Sequence, residues 1–353
     1  MNARWTSVAP GVVQVDPLSI SWWDDFAANW PQATVFHSRA WARTLVETYA
    51  FSPRYLLLNE EDQPRSALPL MEVDGWWRGR RGVSLPFSDY CPALARSPDD
   101  LTRLMEAVMR MATARGWRSI DYRGPVDAGS QAQPQTSYYL HTVDLKGDEK
   151  ELWSKLRPEV RRAVQKARKS GLELVCGGGD EQLSALYRLQ TITRRRHGLP
   201  PQPGKFFRVL QRNFLKQGGG NIVTVHNHGE PVAAALFLHF AGRALYKMGA
   251  SDMRFQSWRP NDLVMWEGIR WCRDQGCHEL SLGRTDLHHE GLRRFKAGWG
   301  GCENIVQTYR YHTDAGTYVE GADMLNGVHN HLFRMMPTPM LQWAGAMLYR
   351  ETA

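Results

Sequence analysis

The chain has 353 residues, 42% apolar and 23% charged, with a net charge of +8 from 44 basic and 36 acidic side chains. That is a globular composition too long for one ordinary core, so two domains are expected. Five scattered Cys residues without a CxxC pair exclude a disulfide framework and a structural zinc site. No run approaches the roughly 18 apolar residues of a membrane span, and the first residues lack the basic and apolar regions of a signal peptide. A cytoplasmic protein is therefore expected, and its positive balance favours anionic partners without choosing among them.

The first half opens with helical segments near Trp22–Trp30 and Ser38–Tyr49, then strand-like runs at Tyr55–Leu58, Ala67–Val73 and Gly82–Leu85. Pro98-Asp99-Asp100 starts a helix with Asp99 as N-cap. Leu101, Leu104, Val108 and Met111 give it an apolar stripe, Gly116 ends it, and Ser119–Arg123 is a strand. The second half opens with a basic helix over Lys150–Lys169, whose stripe is Trp153, Leu156, Val160, Ala163, Val164 and Ala167. A strand over Leu172–Val175 follows. Asp180 caps a helix that runs to His197, and a further helix covers Gly204–Lys216. Three consecutive strands, Asn221–Val225, Pro231–Phe240 and Ala244–Met248, are joined by turns at His228-Gly229-Glu230 and Ala241-Gly242-Arg243. Pro260-Asn261 begins a helix ended by Gly276, and His278–Leu282 is a strand.

The two halves share an order. Pro98-Asp99-Asp100-Leu101 matches Pro260-Asn261-Asp262-Leu263, and Gly116-Trp117-Arg118-Ser119-Ile120 matches Gly276-Cys277-His278-Glu279-Leu280. Both final strands run on to a Gly and an Arg, Arg123-Gly124 in one half and Gly283-Arg284 in the other. This pattern is read as a diverged internal duplication.

The hairpin, strand, loop, helix and strand of Asn221–Leu282 follow the order of the GNAT acyltransferase fold. Tyr246-Lys247-Met248-Gly249-Ala250-Ser251, Pro260-Asn261-Asp262-Leu263, Gly283-Arg284-Thr285-Asp286 and Gly291-Leu292-Arg293-Arg294-Phe295-Lys296-Ala297-Gly298-Trp299-Gly300 resemble the FemAB-like branch of that superfamily. This branch includes peptidoglycan bridge-forming aminoacyltransferases and acetyltransferase-like proteins found beside exopolysaccharide genes. Leu156-Arg157-Pro158-Glu159-Val160-Arg161-Arg162-Ala163 looks like the basic helix of the family's second domain, and Phe36-His37-Ser38-Arg39-Ala40-Trp41 and Leu68-Pro69-Leu70 look like its first. The resemblance implies an α/β (α+β) fold of two tandem GNAT-like domains, each a mixed, mostly antiparallel sheet flanked by helices. The expected bounds are 1–146 for a degenerate first domain, 147–316 for the acyltransferase domain and 317–353 for a helical tail.

The resemblance also implies transfer of an acetyl or aminoacyl group to an amine of a cell-envelope or exopolysaccharide precursor. It places Lys296 near the reacting carbonyl. Asp286 is a candidate acceptor for the amine proton, and Tyr246 a hydrogen-bond donor. Arg157, Arg161, Arg254, Arg259, Asn261, Arg284 and Phe295 are expected at the substrate, and Arg162 shares with Arg157 and Arg161 a basic helix face suited to a sugar nucleotide or lipid pyrophosphate. The loop Asp252–Arg259 lacks the RxxGxG/A glycines of coenzyme A-binding members but sets Arg254 and Arg259 at a helix N-terminus, where an anion is stabilised. No heptad run provides the helical hairpin of tRNA-dependent members. Acetyl-CoA is thus the expected donor ahead of aminoacyl-tRNA, without a metal. The acceptor is a small or lipid-linked sugar or peptide. No sequence-specific nucleic-acid motif is present. The Met-rich end, His331–Arg350, matches either a docked terminal helix or a segment lying on the inner face of a membrane. The competing reading is a non-catalytic binder of an anionic polymer or glycolipid, using the basic helix and Arg194-Arg195-Arg196.

Overall fold

The computed structural model describes residues 5–61, 63–126, 132–319 and 329–351. The chain divides into two compact units. The first takes residues 1–138, 305–323 and 350–353, and the second takes 139–304 and 324–349.

In the first unit, strands Thr6–Ala9, Val12–Val15, Tyr55–Glu60 and Gln63–Leu68 form an antiparallel sheet in that order. A second sheet orders Cys302–His312, Ser119–Tyr122, Gly79–Val83, Met71–Gly75 and Ser52–Pro53. The single strand expected over Ala67–Val73 is two strands, because Pro69 withholds a ladder donor where the chain passes between sheets. The helix Pro98–Arg115 has Ser97 rather than Asp99 as its N-cap. The Ser97 side chain accepts from Asp100 N, and Pro98 takes the first helical position, where its missing N–H costs nothing. Leu104, Val108 and Met111 bury its apolar stripe with Leu56, Leu58 and Leu68, and Trp117, just past the helix end, joins the same cluster.

In the second unit, the sheet runs Glu173–Gly177, Gly220–Asn227, Glu230–Phe240, Arg243–Ser251, Glu279–Asp286 and Thr136–Asp144. The expected strands are present and longer. Both hairpins turn on a residue pair at positive φ, His228-Gly229 (47° and 77°) and Ala241-Gly242 (51° and 71°), the geometry whose twist suits a two-residue hairpin. The basic helix is two helices, Glu149–Lys155 and Pro158–Arg168. Pro158 keeps Arg157 extended (ψ 147°), so the first helix stops and a new one starts. Asp180 is the first helical residue rather than the cap, which is Gly179. The Pro260–Asp274 helix buries Leu263, Trp266 and Ile269 against Val223, Ala235 and Phe237.

The internal repeat holds at the level of register. In the first unit Arg118 N donates to Arg80 O, and the parallel pairs are Arg81–Ser119, Gly82–Ile120 and Val83–Asp121. In the second, His278 N donates to Gly242 O, and the pairs are Arg243–Glu279, Ala244–Leu280 and Leu245–Ser281. Gly116 and Gly276 both end their helices at positive φ. A strand, a helix begun by proline, a left-handed glycine and a parallel return strand thus occur twice, with matching hydrogen bonds between the strands.

Candidate active site

The site grows from the strand pair Arg243–Ser251 and Glu279–Asp286. The two pair over three residues, then run on. Opposite the hairpin partner, the register shifts between Leu236–Met248 and Phe237–Tyr246, so Lys247 is the extra residue of a bulge. A cleft of about 220 Å³ lies along this half of the strand, lined by Tyr246, Gly249, Ser251, Asn261, Leu292 and Phe295 among others. It brings together three residues expected at the substrate or in catalysis: Tyr246, Asn261 and Phe295.

Each is positioned locally. The Tyr246 ring packs on Phe237 with centroids 5.5 Å apart, and its hydroxyl lies over Gly249, where an added Cβ would fall on the phenolic oxygen. Burial pushes the Tyr246 hydroxyl up to about 12, so it is a proton donor rather than a phenolate near neutrality. Asn261 Nδ2 donates to Ser251 Oγ at 2.9 Å, tying the helix start to the strand end. Phe295 packs edge-on to Trp299, which is buried.

The helix Glu290–Ala297 that supplies Leu292 and Phe295 is held from three sides. Arg293 makes a two-pronged ion pair with Glu303 (2.7 and 2.8 Å) and lies over the Tyr139 ring at 4.1 Å. Glu303 also reaches the buried His141 at 3.0 Å; burial, then the Lys296 charge, lower the affinity of that imidazole for a proton. Gly298 approaches the basic helix so closely that a Cβ would meet Val160, and at Gly300 one would meet the Lys155 carbonyl. The GWG end of the motif is therefore a docking element.

Lys296 turns away from the cleft. It is 4% exposed, and its Nζ donates to Gly283 O (2.8 Å) and Arg284 O (2.9 Å). Successive carbonyls of a regular strand point to opposite sides; Gly283, at φ +72°, breaks that alternation so that both converge on one ammonium. Asp286 is exposed at the end of the same strand, and Arg284 is half-buried.

A second cavity, about 410 Å³, lies where the basic helix meets the start of the Pro260–Asp274 helix, lined by Glu159, Arg162, Lys166, Arg259 and Asp262. Of the expected anion-binding arginines it contains Arg162 and Arg259. Arg157 and Arg161 are not among its lining residues, and the Arg157 N–H is spent on Gly298 O (3.0 Å). Arg254 is exposed and bound to Asp252 (2.7 Å) and Glu230 (3.0 Å), which blunts it as an anion ligand. Lys166 was missed although it lies four residues after Arg162, the spacing that sets side chains on one helical face. Burial raises Asp262 to about 6, against the opposing pull of Arg259. Among the described residues, no group of three or more His, Cys, Asp or Glu side chains is arranged to hold a metal.

This arrangement, with two strands diverging beside a helix N-terminus, is that of a GNAT-type acyltransferase domain. Residues 154–297 match the model of the acetyltransferase (GNAT) domain family. A lipid II:glycine glycyltransferase of Staphylococcus haemolyticus (strain JCSC1435) is 24% identical over 125 residues, 34% of this chain and 29% of that protein. The match thus spans less than a third of the relative's length. Among solved structures, FemX superposes with a TM-score of 0.68 at 15% identity, covering 85% of this chain and 97% of that one. A tandem GNAT protein from the clavulanic acid biosynthesis pathway superposes at 0.50 with 13% identity, covering 86% and 98%. The chain has the tandem GNAT fold, and its residues 154–297 form a GNAT-type domain.

Proposed function

We propose that this protein is an N-acyltransferase that moves an acetyl or aminoacyl group onto an amine of a lipid-linked cell-envelope or exopolysaccharide precursor. The observation that carries the reading is the cleft beside the diverging strands, with a cationic cavity at the neighbouring helix start. The name of the lipid II:glycine glycyltransferase relative supports a lipid-linked acceptor.

Arg162, Lys166 and Arg259 suit the phosphates of an acyl donor, and the helix N-terminus adds its own partial positive charge. When bound, the donor supplies an activated acyl carbonyl and a leaving group. The Tyr246 hydroxyl, kept protonated by burial, donates a hydrogen bond to the oxygen on which charge develops, or a proton to the leaving group. Asn261 and Phe295 shape the cleft wall, and Leu292 and Phe295 exclude water from it. The attacking amine must be neutral; exposed Asp286 takes its proton at the strand end. Lys296 acts as a positioning residue, holding the strand end at Gly283 and Arg284 and with it the helix carrying Phe295. Arg157, Arg161, Arg254 and Arg284 serve the acceptor side or the surface charge.

Purified protein incubated separately with acetyl-CoA and glycyl-tRNA, each with a lipid-linked amine acceptor, tests the proposal. Mass spectrometry should show an acylated acceptor with one donor, and Tyr246→Phe should slow its formation. No acylation with either donor, or acylation indifferent to both Tyr246→Phe and Arg162→Gln, would overturn it.

A further inference from the structure

The last described helix turns apolar side chains outward. In Thr338–Glu351, Leu341 and Ala344 are buried, and Gly345 abuts Pro201 so closely that a Cβ would fall on the proline carbonyl oxygen. The other face carries Met340, Trp343 and Met347, spaced as one helical stripe. The short helix before it, His329–Met335, adds Leu332 and Met335, and all five side chains are between 51% and 70% exposed. Arg350 continues the stripe at its end. The segment is fixed: Arg194 donates to Tyr349 Oη, and Arg195 Nε to Arg334 O at 3.2 Å. A patch of this kind on a fixed helix marks a surface built to meet something.

Charge identifies the occupant. Where the two C-terminal helices meet the Asp180–Arg196 helix, a groove of about 700 Å³ is lined by Tyr187, Arg188, Ile192, Arg195, Arg196 and Arg334, and among the described residues no carboxylate lines it. Arg188 is held by Glu230 at 2.9 Å, but Arg195, Arg196 and Arg334 have no carboxylate partner among the described residues. A second copy docking symmetrically on this segment would set the same arginine-bearing face against itself, bringing like charges together, which disfavours a dimer. Methionine and tryptophan flanked by unpaired arginines match the headgroup layer of a bilayer with negative lipids, where indole rings and basic side chains partition together.

We infer that the C-terminal helices dock this protein on an anionic phospholipid bilayer, with Met340, Trp343 and Met347 entering the interfacial layer and Arg334 and Arg350 meeting lipid phosphates. Arg196 lines both this groove and the acyl-transfer cleft, but Arg334, Met340, Trp343, Met347 and Arg350 do not line the cleft, so variants at those five positions test the two readings separately.

Vesicle flotation with the full chain tests it. Wild-type protein should float with phosphatidylcholine vesicles containing about a third phosphatidylglycerol and stay in solution with pure phosphatidylcholine. Met340→Ser/Trp343→Ser/Met347→Ser, all at exposed positions, should keep the wild-type circular dichroism melt and lose flotation at least tenfold. Arg334→Gln/Arg350→Gln should weaken flotation about 30-fold, the product of two surface basic contacts. Three results would overturn the inference: no flotation of the wild type, flotation unchanged in the triple serine variant, or a dimer in ultracentrifugation that this variant dissolves. Complete displacement by millimolar inorganic phosphate would also overturn it, since the groove would then bind a free anion rather than a lipid surface.

Discussion

Replacing Lys296 with Met separates a structural ammonium from a chemical one. The methionine keeps most of the stem volume and deletes both hydrogen bonds to Gly283 O and Arg284 O. Hydrogen bonds to a charged group contribute about 1.5–3 kcal/mol each, and a buried carbonyl left unsatisfied costs about 1–3 kcal/mol. Relief of the desolvation penalty on the ammonium offsets part of that, so a net loss of about 3 kcal/mol is expected. With a urea slope of about 2 kcal/mol/M, the unfolding midpoint of the second unit should fall by about 1.5 M. Tryptophan fluorescence follows it, because Trp266 and Trp299 are buried in that unit. Hydrogen exchange should quicken first around Gly283–Asp286 and in the Glu290–Ala297 helix, with activity falling alongside as Phe295 loses its place. A wild-type midpoint combined with a hundredfold loss of kcat would refute this argument and put the ammonium on the reacting carbonyl.

Four further outcomes follow from the cleft and its neighbours. Tyr246→Phe should lower kcat about 10²-fold with little change in KM, the cost of removing one donor to a developing charge. Because that hydroxyl titrates near 12 in the fold against an ordinary 10, the stability its burial confers is complete below pH 10 and is lost as pH rises through about 12; Tyr246→Phe should flatten the alkaline unfolding curve. Gly249→Ala should imitate Tyr246→Phe in kcat while retaining the hydroxyl, since the new methyl displaces the ring; wild-type activity would show that the ring's place is unimportant. For Asp262, raised from 3.8 to about 6, the stability due to the neutral carboxyl is full below pH 3.8 and lost as pH rises through about 6. Its ionisation also sets a negative charge beside Arg162, Lys166 and Arg259. The KM for the acyl donor should therefore rise across pH 6 in wild type and stay level in Asp262→Asn, while Arg162→Gln should raise it about tenfold at all pH values.

Most of the frame was legible because it depends on local chemistry. Hairpin glycines, the Pro260 helix start and the left-handed Gly116 and Gly276 are dictated within a few residues of chain. What escaped depends on direction. Phe295 and Lys296 are neighbours in the motif, but the rotation of roughly 100° between adjacent helical residues sends Phe295 to the cleft and Lys296 to the strand end. The basic helix offers four arginines and two lysines between Arg157 and Lys169. Only packing against the Pro260–Asp274 helix selects Arg162 and Lys166 over Arg157 and Arg161. Arg254 belonged to the right loop by position, and Asp252 and Glu230 neutralise it through contacts that sequence spacing does not reveal.

The repeat shows why one copy carries the cleft. With the two registers aligned, Val83 corresponds to Leu245, Ser84 to Tyr246, and Arg123 to Gly283. In the first unit the strand ends are stitched beyond the last pair. Ser84 N donates to Asp121 O at 2.8 Å, Arg123 N to Ser84 Oγ at 2.7 Å, and Arg123 Nη1 to Leu85 O at 2.6 Å. These bonds bridge the two strand ends. In the second unit the corresponding N–H, that of Gly283, turns to its own strand at Ser281 Oγ (3.2 Å), and its carbonyl is taken by Lys296. Tyr246 cannot make the short bridge that a serine hydroxyl makes, and it lies over Gly249 instead. The neighbouring strand then runs on to Ser251. An arginine and a serine close one copy; a glycine, a tyrosine and a borrowed lysine hold the other open. The same argument makes Gly283 a constraint on the active unit, because a side chain at φ +72° is strained and two carbonyls would no longer converge on one ammonium.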